Sequence, residues 1–322
     1  MKWSISAHNC FRRCQRQYYF SKIMAAHNAI DERRREAHIL AQLKNLSEWR
    51  GNLADKGIEH FVIPALENGI QIDFEHATQQ TIELAYRQLA FSKARKYREP
   101  GITKSDIGDE FCALSRHEYG QDFSSEELEA LFLDIACCFE NLEQQTDFIE
   151  YLKQGKRYGT QKILSFYLDE VRIIAWLDLL FFREAGQLTI VDWKAGMSET
   201  SDYRPQLLVY ALAAVEGWPK AQPGNLEIYE ANIMKNEIRR HHVTEQDLLG
   251  IEDFIYSSIC EIRSVTQDKK YQHQHVEDYE FANSPDTCMY CSFRKLCLEV
   301  LSEDASDQPI QDHEPVQLEM LL

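Results

Sequence analysis

Two neighbouring runs decide the reading of this chain: VRIIAWLDLLFF (Val171–Phe182) and, after a four-residue gap, QLTIVDWK (Gln187–Lys194). Both are short and rich in β-branched and aromatic residues, the composition of strands. The Glu184-Ala185-Gly186 separator is of hairpin length, so the runs are expected to pair. Asp178 interrupts the first run where its neighbours are apolar, and burying a carboxylate there is costly unless it is paired or bound to a cation. Asp192 and Lys194 straddle Trp193, and strand residues two apart point to one face. The hairpin brings Asp178 into cross-strand range of Asp192. Two carboxylates and one ammonium on one face suit a hard divalent cation with a lysine beside its bound water. A lone Asp-x-Lys is explained as well by a buried ion pair at a sheet edge. The second aspartate, embedded in the adjacent strand, favours chemistry.

Working outward, Lys162 to Leu168 (KILSFYL) reads as a strand joined through Asp169-Glu170 to the first run. A helix is expected over Tyr203 to Glu216, opened by Arg204-Pro205 and closed by Gly217. Leu226 to Met234 and Ile238 to Val243 read as a strand and its hairpin partner, and Glu245 to Val265 as a helix capped by Thr244. The class is α/β. Upstream, Asp31 to Leu66 and residues 70–155 carry helical periodicity, with a loop at Glu99-Pro100-Gly101.

The 322 residues carry a net charge of −17 and 44% apolar residues, ample for a packed core. No apolar run is long enough for a membrane span, and the N-terminal segment lacks a secretory apolar region, so a cytoplasmic protein is expected. The acidic total argues against a general polyanion binder. Six acids fall in the last 21 residues, where there is no Lys or Arg; without them the charge is −11. Positive charge is locally dense at Arg12, Arg13 and Arg16, at Arg33 to Arg35, and at Lys93, Arg95, Lys96 and Arg98.

With these residues in place, the chain resembles the PD-(D/E)XK nuclease superfamily, and within it the RecB-like exonucleases, which include the AddB nuclease domain and the CRISPR-associated RecB-like nucleases. The family's strand-borne aspartate falls on Asp178, and its Asp/Glu-x-Lys falls on Asp192-Trp193-Lys194, with Gly196 after it. Its Gln-x-x-x-Tyr helix motif falls on Gln206 and Tyr210, four apart and so on one helix face. Its upstream Gly-x-x-His falls on Gly57-Ile58-Glu59-His60. Ala175 and Leu179 depart from the Gly and Arg common around the strand aspartate. The resemblance implies a restriction-endonuclease-like core, a mixed β-sheet flanked by helices, with a helical insertion subdomain. It also implies Mg²⁺ or Mn²⁺ held by His60, Asp178, Asp192 and the Trp193 carbonyl, and Gln206 and Tyr210 addressing the site or the incoming DNA. The implied substrate is single-stranded DNA or DNA ends, cut in repair, recombination or phage and CRISPR-type defence, beside a helicase or an integration complex. Residues 1–301 are then one nuclease domain, with 67–158 the helical insertion and 159–265 the catalytic core.

Nine cysteines are expected to be reduced rather than disulfide-bonded. Cys288, Cys291 and Cys297 form C-x2-C-x5-C, which lacks one ligand of a tetrahedral site, and their spacing suits zinc and iron–sulfur equally. Iron–sulfur relatives take the remaining ligand from an N-terminal segment laid out like Ser4-Ile5-Ser6, Phe11 and Cys14 to Phe20. The resemblance therefore implies a 4Fe–4S cluster on Cys14, Cys288, Cys291 and Cys297, with Cys10 the substitute for Cys14 and zinc the alternative metal. Such a site staples residue 14 to residues 288–297 and contributes folding free energy. Cys112, Cys137, Cys138 and Cys260 sit in apolar helical contexts and read as small buried residues.

Residues 302–322 read as a disordered acidic tail. Its end, Gln317, Leu318, Met320, Leu321 and Leu322, resembles the bacterial sliding-clamp-binding motif, which implies docking on a clamp. Two other functions stay open on the residues alone: a non-catalytic DNA-binding subunit, and a protein-interaction scaffold with a structural four-cysteine zinc site.

Overall fold

The structure, a computed structural model, describes residues 1–183, 187–197, 202–218 and 221–306. The clamp-like residues Gln317, Leu318, Met320, Leu321 and Leu322 therefore lie outside the described residues. Two compact units divide the chain. One comprises Met1–Ile5 and Lys44–Cys260, the other Ser6–Leu43 and the chain from Glu261.

The first unit is built on a six-stranded mixed sheet. Its strands are β1 (Lys2–Trp3), β2 (Lys156–Leu168), β3 (Val171–Phe182), β4 (Leu188–Lys194), β5 (Leu226–Asn232) and β6 (Glu237–His241). The β2–β3 hairpin turns at Asp169, which takes the left-handed conformation at φ 49°, and Leu168 faces Val171. Along its other edge β3 has two partners in succession. Arg172 and Ile173 pair with β1 in parallel, whereas Leu179 to Phe182 pair with β4 antiparallel. Pairing with β4 stops at Leu179 and Val191, one residue short of the two aspartates. The strands part there, and β5 runs parallel to β4 through Lys194, opposite Asn232.

Burial along β3 alternates, with Val171, Ile173, Ala175, Leu177 and Leu179 buried, as a sheet with different layers on its two faces requires. One face, through Leu179, Phe181, Val191 and Trp193, packs on helices α1 (Leu46–Gly57), α2 (Phe74–Lys93), α3 (Ser125–Gln144) and α4 (Thr146–Lys153). Trp49, Leu53, Ile135, Phe139, Leu142 and Leu152 fill that core. The four helices lie in the span expected to be helical, and α1 and α3 each begin with a complete capping box, on Asn45 and on Ser124. Gly57 ends α1 where a Cβ would overlap the Phe139 ring and the Thr81 hydroxyl, so the close approach of these helices requires glycine there. The other face carries α5 (Arg204–Gly217), opened by Pro205. Helix α6 (Glu245–Thr266) is capped by Thr244, whose hydroxyl accepts from the Asp247 amide.

The second unit has an aromatic core. Phe11 meets Tyr18 edge-on, Tyr19 meets Tyr279, and Phe20 stacks on Phe293. The N-terminal segment thus shares one compact unit with the segment that bears Cys288, Cys291 and Cys297. No helix among the described residues is long and apolar enough to cross a membrane.

Candidate active site

The parting of β3 and β4 creates the site. Because pairing ends at Leu179 and Val191, Asp178 and Asp192 line the fork instead of a closed ladder. The Trp193 amide, left without a ladder partner, donates to Asp178 Oδ2 at 3.0 Å. Lys194 Nζ lies 2.6 Å from Asp192 Oδ2. Asp192 is fully buried, and the lysine side chain is 15% exposed. That ammonium approaches Oδ2 outside hydrogen-bonding alignment, so the buried oxygen has a charge beside it but no aligned donor.

Helix α5 supplies the next layer. Gln206 Nε2 donates to Asp192 Oδ1 at 3.1 Å and also to the Tyr210 hydroxyl, while its Oε1 accepts from Lys194 Nζ at 3.4 Å. One amide thereby fixes the carboxylate, the lysine and the tyrosine. Tyr210 is buried at 4% exposure, so it does not offer a face to DNA. Burial and the nearby Asp192 carboxylate push its hydroxyl well above the ordinary tyrosine range. Lys194 also sits 4.5 Å from the centre of the Tyr203 ring. The chain beyond Lys194 is pinned by Arg50 donating to the Ala195 carbonyl and by Asn232 donating to that of Gly196.

A third carboxylate feels the charge of this group. Asp55, on the last turn of α1, is pushed up to about 7 by burial and by the Asp192 charge, with Lys194 opposing. Burial and the charges of Asp192 and Asp55 raise Asp178 well above the carboxylate range. Burial raises Asp192 too, although Lys194 acts against the shift. Burial works against the Lys194 ammonium, but Asp192 and Asp178 outweigh it and hold its pKa above the ordinary value. Three carboxylates that resist ionising together, one with an unaligned buried oxygen, are the donor set a hard divalent cation satisfies. Among the described residues no group of three or more His, Cys, Asp or Glu side chains is placed to hold a metal ion.

His60 is placed elsewhere. It lies on the π-helical turn Ile58–Val62, and its Nε2 is 2.7 Å from Asp109 Oδ2. Lys56 reaches the other oxygen of the same carboxylate at 2.9 Å. His60 lines a separate cavity of about 310 Å³ with Lys56, Phe61, Arg87 and Asp109. The expected histidine ligand is thus drawn to a carboxylate from the turn Gly108–Glu110, a partner 49 residues away that no local motif announces. Asp55, five positions before it, is the residue of α1 whose carboxyl feels the charges of Asp192 and Lys194. Its signal in the sequence is faint: a carboxylate directly after the buried pair Leu53-Ala54 on a helix.

The basic clusters are largely engaged within the protein. Arg12 pairs with Glu261, Lys93 with Asp122, and Arg98 with Glu118, while Arg95 donates to the His117 carbonyl and Arg35 to those of Ala29 and Ile30.

In the second unit Cys14 caps the short helix Gln15–Tyr18 and accepts from the Gln17 amide at 3.4 Å. Cys288, Cys291 and Cys297 lie close enough to it that each thiol is raised first by burial and then by Cys14 or one another, Cys291 to about 12. Cys10 instead faces Ser21, with Sγ 3.7 Å from its hydroxyl. Arg16 is buried against the Phe281 ring and donates from Nε to the Tyr279 carbonyl, while its Nη1 has no hydrogen-bond partner. All nine cysteines are free thiols.

The solved structures that align with the chain include two of low identity. One, a protein from Eubacterium rectale described as a candidate exonuclease, is 12% identical over 92% of this chain and 97% of its own, with a TM-score of 0.35. The other, SSO0001, is 13% identical over 67% and 96%, with a TM-score of 0.29. Overlaps this loose carry no argument about activity. No curated protein matches the chain. The family profile described as the PD-(D/E)XK nuclease superfamily matches residues 2–298, a span that takes in the fork, both aspartates and the lysine, and the chain belongs to that superfamily.

Proposed function

We propose that the protein is a divalent-metal-dependent deoxyribonuclease of the RecB-like branch, acting on single-stranded DNA or DNA ends. The observation that carries this reading is the placement of Asp178 and Asp192 beside the Lys194 ammonium at the parting of two strands, with the Asp55 carboxyl within reach of their charge. The three carboxylates and the Trp193 carbonyl are the groups that would hold Mg²⁺ or Mn²⁺. Such an ion polarises the scissile phosphate and acidifies a bound water.

The remaining steps belong to the chain. The Trp193 amide fixes one oxygen of Asp178, and Gln206 fixes Asp192 Oδ1 while the Lys194 ammonium stands beside Oδ2. Lys194 keeps its proton, because the aspartates raise its pKa, and so stays a donor to the attacking water or to the charge developing on phosphate. Gln206 and Tyr210 act as positioning residues behind Asp192 and Lys194. Four neighbouring thiols, Cys14 buried and the other three half-buried, with an unpartnered arginine N–H at their edge, support a metal cluster on Cys14, Cys288, Cys291 and Cys297, read here as 4Fe–4S with zinc the alternative. A helicase or integration-complex partner and clamp docking through the tail rest on sequence resemblance alone.

The test is cleavage of end-labelled single- and double-stranded DNA with Mg²⁺ or Mn²⁺. Lys194→Ala and Asp192→Ala are expected to lose a hundredfold or more of the metal-dependent rate at unchanged circular dichroism, about the loss of one transition-state contact. Wild-type rates in either variant would remove the assignment.

A further inference from the structure

Resting on the catalytic reading above, we propose that the open face of the β2–β3 hairpin is a stacking track that takes bases of a single DNA strand and leads them to Asp178. Residues 172, 174, 176 and 178 of β3 alternate to one face, so Trp176 stands on the side of Asp178, two residues or about 7 Å before it. Its indole is 54% exposed. Across the pair Ile163 faces Trp176 at 52% exposure, and Tyr167 faces Arg172 at 67%. Directly opposed side chains on an antiparallel pair lie about 5 Å apart, so these groups form a continuous strip.

The strip is ordered by polar contacts. Trp176 Nε1 donates to Gln161 Oε1 at 3.0 Å, which fixes the ring, and Arg172 donates to the Ser165 hydroxyl at 3.0 Å. Exposed aromatic and apolar side chains of this size mark a binding surface. The edge of β2 argues against strand addition by another protein. Arg157 and Gln161 have positive φ of 57° and 48°, and the register with β3 shifts between Lys156 and Gly159. Such bulges disrupt an edge as a pairing template. Rings spaced along a strand, with an arginine and small polar groups between them, suit stacking on successive bases. Duplex bases already stack on one another and offer no free faces, so the strip selects single strands.

The probe is a fluorescein-labelled oligothymidylate into which the full-length protein is titrated in EDTA, where hydrolysis is prevented, with fluorescence anisotropy of the label as the readout, so that the Trp176 variants are read in the same way as the wild type. Trp176→Ala is expected to weaken oligothymidylate binding about tenfold or more and Tyr167→Ala by a similar factor, with most of the affinity kept in Trp176→Phe. Blunt duplex binding should change far less. Unchanged single-strand binding in both alanine variants overturns the track, as does an equal loss for duplex. Self-association of the wild type that Trp176→Ala abolishes, with DNA binding intact, would assign the face to a protein partner instead. Metal-dependent hydrolysis of bis(p-nitrophenyl) phosphate by the wild type, a diester that carries no base to stack, reads the catalytic site separately. Activity there without stacking removes only the track, and stacking without activity removes only the catalytic reading.

Discussion

Replacing Asp55 with Asn should make the metal-free protein more stable at pH 8, although it deletes a charged group from the site. The folded carboxyl is pushed up to about 7, whereas an unperturbed aspartate titrates at 3.8. Between those values the native state holds a proton that the unfolded chain has released, so stability falls as pH rises through the window and stays lowered above it. A shift of about three units sets a ceiling of roughly 4 kcal/mol. Asp55 is only half-buried, and water screening reduces the expected effect to about 1–2 kcal/mol. Asp55→Asn removes the repulsion and should raise the melting temperature in EDTA by roughly 2–6 °C at pH 8, with the gap closing toward pH 4. Mn²⁺ should reverse the order: it stabilises the wild type by binding the folded state, and the variant much less. The assay is thermal unfolding by circular dichroism from pH 4.5 to 8.5, with EDTA or Mn²⁺. A variant less stable than wild type at pH 8 in EDTA, or a difference independent of pH, would falsify the account of crowded carboxylates.

Two further outcomes follow from packing and from the thiols. Gly57→Ala drives a methyl into Phe139 and Thr81 and should destabilise the protein by about 1–3 kcal/mol, read as a shift in the urea midpoint; a neutral result would mean α1 moves away freely. Cys291→Ser should lose the bound metal, seen as missing absorbance near 400 nm for iron–sulfur or as missing zinc by elemental analysis, and should lower the melting temperature with it. Metal content equal to wild type would exclude Cys291 as a ligand.

Much of the architecture was legible because it is encoded locally. The β2–β3–β4 order, the turn at Asp169-Glu170, the opening of α5 at Pro205 and the Thr244 cap are each carried by a few adjacent residues, and the observed elements match those expected within a few positions. The strand length of β2 was underestimated: Lys156 to Gln161 contains glycine and two positive-φ residues, which look like a loop until the partner strand holds them in register. The fork was legible only in part, since alternation places Asp178, Asp192 and Lys194 on one face but does not say where pairing stops.

By itself the sequence determined the α/β class and which aspartates and lysine stand together, because strand periodicity and hairpin length are short-range physics. Tertiary structure alone decided that Asp55 comes under the charge of Asp192 and that His60 turns to Asp109, since both depend on partners dozens of residues away. It also decided that Gln206 and Tyr210 lie behind Asp192, with Tyr210 buried. A helix pattern states which residues share a face. Which face meets the strand fork is chosen by packing of Trp49, Leu53 and Phe139 against the sheet, a competition over the whole core that no local window contains.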